Sequence, residues 1–103
     1  MMDFTKTAKV LDEVAVERLN QNAKWGEQNH PDGTGWLCGP DPGLAKKRYE
    51  DAKAARTLTW LEILDEEFAE ALAEKDQGRL REELIQVAAV AVAWVECIDR
   101  RKK

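Results

Sequence analysis

The sequence predicts an all-α fold, and three observations carry that prediction. Ala, Leu, Glu, Lys and Arg dominate the chain, and β-branched residues rarely run together before its last segment. Apolar residues recur at helical spacing over long windows instead of alternating. Apart from Gly78, glycine and proline gather in one stretch, "WGEQNHPDGTGWLCGPDPG" from Trp25 to Gly43, which leaves the chain on either side free to run helical.

Four helices follow in order. The first runs from about Thr5 to Ala23, with Phe4, Leu11, Ala15 and Leu19 marking one inner stripe. The second runs from about Gly43 to Thr57; Asp41 is its expected cap, and Pro42 suits a first helical position because it has no N–H to leave unpaired. The third runs from about Thr59 to Lys75, since Thr59 with Glu62 three residues on spells a capping box. Gly78 is expected to break the chain, and the fourth helix then runs from about Arg79 to Arg101. The short connection sets the third and fourth helices antiparallel. The fourth is apolar nearly all round from Val87 to Val95, which places it at the centre of a bundle or at a subunit interface.

At 103 residues the chain suffices for one domain, 1–103, with one core and a long loop over 25–42. A chain this small with so apolar a helix gains by pairing, so a homo-oligomer is expected, most simply a dimer. A net charge of −4 and a pI near 5.1 argue against a nucleic-acid partner, which calls for a basic face. The "RRKK" tail, Arg100 to Lys103, reads as a solubilising helix end that complements the dipole. No apolar run approaches the roughly 18 residues of a membrane span, and the charged N-terminus does not read as a signal peptide. Cys38 and Cys97 fit no metal spacing and suit a reduced, cytoplasmic protein.

The chemistry sits in the acids. On a helix turning about 100° per residue, Leu61, Leu64, Phe68 and Leu72 form the core stripe of the third helix. Glu67, Glu70 and Glu74 share a separate sector flanked by Trp60 and Ile63, unlike an ordinary solvated face. On the fourth helix, Glu83 falls within the apolar sector, between Leu80 and Val87 on one side and Val90 and Trp94 on the other. Gln86 falls at the edge of that sector. Several carboxylates therefore converge across an antiparallel pair. Burying one unpaired carboxylate costs several kcal/mol, and clustering makes each harder to ionise. A cation relieves both penalties. Oxygen ligands with hard charge suit Mg²⁺ or Mn²⁺, which in turn bind substrate phosphates. The bland alternatives are solvent-facing roles for Glu62, Asp65 and Glu66, and a salt bridge from Glu83 to Arg79 or Arg48.

"EFAE" (Glu67 to Glu70), twelve intervening residues and "ELIQ" (Glu83 to Gln86) together resemble the ExxE…ExxD pattern of the all-α MazG-like nucleoside triphosphate pyrophosphohydrolases. The flanking "LTWLEILDEEFAEALAE" and "LREELIQVAAVAVAWVECIDR", and "KWGEQNHPDGTG" in the loop, look like the phage and actinobacterial branch of that superfamily. These segments cover well over half of the chain. The resemblance implies a MazG-like four-helix bundle that dimerises or tetramerises, and Mg²⁺-dependent cleavage of a (d)NTP to its monophosphate and pyrophosphate. It implies metal ligation by Glu67, Glu70 and Glu83, with Glu66 matching a frequent extra acid that serves as outer ligand or base. The fourth position departs: Gln86 stands where the family has Asp. A carboxamide oxygen can ligate, but it brings no negative charge and cannot act as a base.

The loop supplies the remaining candidates. Trp25 is either a core-edge residue or a base-stacking platform, a contact that contributes on the order of 1–3 kcal/mol. Asn22 and Gln28 can read a base edge, and Lys24, Lys47 and Arg48 are the cations best placed to meet phosphates, although ordinary surface charge explains each singly. His30 precedes the turn sequence "PDG" and reads as a turn residue or loop anchor. Trp36 and Cys38 read as cover for the core. Three functions remain open from sequence: a pyrophosphohydrolase in which Glu66 or Glu70 activates water, a non-catalytic nucleotide binder, and a structural helical oligomer whose acids pair with Lys75, Arg79 and Arg81.

Overall fold

The computed structural model describes residues 4–35 and 41–101. Among them stand four α-helices and no strand: α1 (Phe4–Trp25), α2 (Pro42–Ala54), α3 (Trp60–Ala73) and α4 (Gln77–Arg101). The expectations for Trp36 and Cys38 lie outside the described residues. Within the described residues, no helix is long and apolar enough to cross a membrane.

The helix ends follow from side chains close by in sequence. Asp41 caps α2 as expected: its Oδ1 accepts from the Gly43 and Leu44 N–H groups at 2.9 and 3.3 Å, with Pro42 in the first turn. At the start of α3, Glu62 reaches back 2.8 Å to accept from the Thr59 N–H, and the Thr59 hydroxyl donates to the same carboxylate. α2 ends in a Schellman-type turn, in which Thr57 N–H donates to Ala52 O at 2.9 Å and Arg56 N–H to Lys53 O at 3.2 Å. That turn puts Arg56 at φ 60°, where glycine is the usual occupant.

The expected break at Gly78 is corrected. The chain turns instead at Glu74–Asp76, and α4 already includes Gly78 in its first turn. The Glu74 carboxylate accepts from the Lys75 and Asp76 N–H groups at 3.0 Å, and Asp76 Oδ2 accepts from Arg79 N–H at 2.9 Å as the cap of α4. With that cap in place the glycine is spared the interior, where its backbone freedom costs most.

Contacts group the chain into two compact units. One comprises residues up to Pro31 together with those from Val92 onward; the other is Asp32–Ala91. In the first, Val10 is the buried apolar residue of α1, and the Thr7 hydroxyl donates to Glu96 at 3.0 Å. In the second, α2 packs against α3. The buried residues of those two helices are alanines, Ala45, Ala69 and Ala71, small enough for two backbones to approach closely. Arg48 pairs with Asp65 across the two helices at 3.0 Å.

The expected core stripes are only partly buried. Leu64 and Leu72 are half-buried, whereas Leu61 and Phe68 are 64% and 47% exposed. On α1 the inner stripe is open: Phe4 is 71% and Leu19 68% exposed, with Leu11 and Ala15 exposed as well. Helical periodicity identifies an apolar face but not the chain that covers it.

Candidate metal centre

Two local features and one turn build the site. Glu67 and Glu70 stand three residues apart and so share a face of α3. Glu70 lies one turn before the end of α3 and Glu83 nearly two turns into α4, so the reversal at Glu74–Asp76 brings Glu83 back beside the pair. One carboxylate oxygen from each of Glu67, Glu70 and Glu83 lies within 4.8 Å of the others, and all three residues are half-buried.

The electrostatics fit that proximity. Partial burial pushes the Glu67 carboxyl above its ordinary value, helped by repulsion from Glu70, Glu83 and Glu66. Glu83 is also raised, first by burial and then by the charges of Glu70 and Glu74. A hydrogen bond to Glu70, which needs a proton on one of the two carboxyls, adds to the rise. Among the described residues no ion pair reaches Glu67, Glu70 or Glu83. Arg48, the candidate partner of Glu83, is held by Asp65, and Asp65 is half-buried, not solvent-facing.

The donor set suits a hard divalent cation. Carboxylate oxygens around Mg²⁺ stand about 2.0–2.1 Å from the ion, hence roughly 3–4 Å from one another. Oxygens already within 4.8 Å reach that spacing by small side-chain adjustments. Beside the acids lies an open recess of about 230 Å³ lined by Pro42, Glu70, Ala73, Glu74 and Glu83. Glu74 and Pro42 were not among the site residues expected from sequence. The signal for Glu74 was its place four residues after Glu70. Pro42 had none, because only the packing of α2 on α3 brings it there.

The loop before α2 is fastened to the same end of α3. Gly35 N–H donates to Leu72 O at 2.9 Å, and the Thr34 hydroxyl donates to Glu74 O at 2.7 Å. Both bonds satisfy carbonyls that the helix end leaves without partners. Gly35 sits at φ +83°, and a Cβ there would stand 2.6 Å from Lys75 Cγ.

The other expected site residues are less concentrated. Glu66 is half-buried next to Glu67, whereas Gln86 is exposed. Lys47 pairs with Asp51 at 2.9 Å on α2 itself. Asn22, Lys24, Trp25 and Gln28 belong to the other compact unit and are exposed. There Lys24 Nζ stands 4.8 Å from the Trp25 ring centroid, and Gln28 meets His30 at 3.5 Å. No protein-family model, curated protein or solved structure matches the chain.

Proposed function

We propose that this protein is a Mg²⁺-dependent nucleoside triphosphate pyrophosphohydrolase, with Mn²⁺ as an alternative ion. The observation that carries the proposal is the convergence of Glu67, Glu70 and Glu83 without a basic partner among the described residues. The likeness of "EFAE" and "ELIQ" to the MazG-like pattern supplies the reaction class.

Bound Mg²⁺ would neutralise phosphate charge and lower the pKa of a coordinated water. Glu67, Glu70 and Glu83 would hold the ion. Glu66 or Glu70 would take the proton of the attacking water on a carboxylate oxygen, a role that contributes about 10²–10⁴-fold. Gln86 contributes at most a neutral oxygen. Lys47 and Arg48, in the same compact unit as the acids, meet the phosphates in this reading. For Lys47 and Arg48, that role requires leaving the contacts they now make with Asp51 and Asp65. The activity belongs in the cytoplasm, where nucleotides and Mg²⁺ are both plentiful.

Gln86 favours a second reading, a protein that binds and sequesters a nucleotide without turning it over. One experiment separates the two: incubation with a panel of NTPs and dNTPs plus Mg²⁺ or Mn²⁺, with pyrophosphate measured. Release from at least one nucleotide supports the enzyme. Thermal stabilisation by a nucleotide without any release supports the binder and sinks the enzyme. If neither occurs, the acids are structural and both readings fail.

A further inference from the structure

We infer that Glu74 is a positioning residue for the metal centre: its carboxylate and its carbonyl hold the α3–α4 reversal at the angle that sets Glu83 beside Glu70. The inference rests on reading that centre as a cation site.

Glu74 is half-buried and lines the recess beside the acids, yet it is not one of the three whose oxygens converge. Its bonds give it another task. Oε1 accepts from the N–H groups of Lys75 and Asp76, both at 3.0 Å, which folds the side chain back over the reversal. The Glu74 carbonyl accepts from the Thr34 hydroxyl at 2.7 Å. Three residues, Glu74 to Asp76, join the two helices, and Glu74 fixes the N–H groups of the last two. Its own N–H donates to Ala71 O at 3.2 Å, so each N–H of the reversal is held. Asp76 then caps α4 through the Arg79 N–H at 2.9 Å, which carries the hold into the helix that bears Glu83.

A small error at the reversal is large at the site. Glu83 stands six residues beyond the first residue of α4, about 9 Å along the helix axis. A tilt of about 10° where α4 begins therefore moves Glu83 by roughly 1.5 Å. Ligand oxygens around Mg²⁺ stand roughly 3–4 Å apart, so a shift of that size takes Glu83 out of reach of a shared ion. A ligand acts through its charge, whereas a positioning residue of this kind acts through its acceptor oxygen. Glutamine separates the two, because it loses the charge and keeps the oxygen.

Mn²⁺ titration of the full chain, at about 0.15 M salt and well below Tm, reads affinity without nucleotide or turnover. Glu74→Ala is expected to lower Mn²⁺ affinity by about tenfold or more while circular dichroism keeps its helical signal. Glu74→Gln is expected to stay within about threefold of the wild type, since a screened charge outside the ligand set acts weakly. Thr34→Val removes the bond to the Glu74 carbonyl and decides the matter should Glu74→Ala lose its fold; a loss of about fivefold is expected. The expected pattern in a protein that releases no pyrophosphate supports this inference and sinks the enzyme. Wild-type affinity in Glu74→Ala or in Thr34→Val, or a loss in Glu74→Gln as large as in Glu74→Ala, overturns the inference and leaves the enzyme untouched. A wild type that binds no Mn²⁺ overturns both.

Discussion

From Thr59 to Glu83 the chain is tied at both ends of α3 and at the start of α4. Thr59 and Glu62 open α3, Glu74 and Asp76 hold the reversal, and Thr34 and Gly35 close the carbonyl end of α3. α1 is longer, yet of its apolar residues it buries Val10 alone and exposes Phe4, Leu11, Val14, Val16 and Leu19. The acids occupy the tied region. A cluster of like charges drives its own members apart, so it persists only on a backbone held by other means. Apolar surface needs no such rigidity, only cover. The contrast thus separates a region organised around charge from one that supplies unspent apolar area.

The largest effect should come from the charge cluster itself. Glu83→Gln or Glu70→Gln keeps the shape and removes one ligand charge. Each is expected to lower metal-dependent pyrophosphate release by about 10²-fold or more, Glu83→Gln through the lost ligand charge and Glu70→Gln through that and the lost proton acceptor. Loss of Mn²⁺ affinity in a direct titration should accompany it. Unchanged turnover in both variants would remove these acids from the reaction.

The same cluster predicts a pH-dependent cost in the metal-free protein. The Glu67 and Glu83 carboxyls are raised above their ordinary value of 4.5 in the folded chain. A folded state that binds protons more tightly than the unfolded one is favoured at low pH. Their contribution is therefore full below about pH 4.5 and disappears as the pH rises through their raised folded values. The double variant Glu67→Gln with Glu83→Gln has no such dependence. Its Tm advantage over the wild type should be small near pH 4.5 and widen towards pH 7, and Mg²⁺ should narrow it again. A gap that does not change with pH would show that the cluster is not strained.

How much of this could be read from sequence depends on the range of the interaction. The caps at Asp41 and Thr59 span three residues or fewer and were legible. So was the convergence of Glu67, Glu70 and Glu83, because helical spacing plus a short reversal nearly fixes it. Gly78 misled because glycine signals a break only when nothing stronger sits beside it, and Asp76 does. The Arg48–Asp65 pair and the fastening of Thr34 and Gly35 to α3 were not legible, since each joins elements far apart in the chain. The stripes of α1 were legible as apolar faces but not as exposed ones.

The fastened loop offers a smaller test of the tied region. Gly35→Ala forces a side chain into a left-handed conformation and against Lys75. Lys75 can swing away, so the backbone dominates, and the expected cost is about 1–2 kcal/mol in urea unfolding. Loss of the hold on α3 should also raise proteolytic sensitivity around Thr34 and Gly35. Full stability in the variant would show that Gly35 is not strained.

The smallest effect runs the other way. Arg56 holds φ 60° at the end of α2, where its side chain contributes no ion pair among the described residues. Its two backbone bonds, to Lys53 O and through Thr57 to Ala52 O, need only the left-handed turn and not the guanidinium. Arg56→Gly removes the Cβ clash of that turn, a penalty of about 1–2 kcal/mol for an L-residue. Glycine returns about half of it through the greater freedom of its unfolded chain. A net gain of about 0.5–1 kcal/mol is expected in urea unfolding, with the m-value unchanged. Because Arg56 belongs neither to the acid cluster nor to the lining of its recess, the variant should leave pyrophosphate release and Mn²⁺ affinity where they are. A loss of stability would show that Arg56 makes a contact worth more than the strain of its backbone.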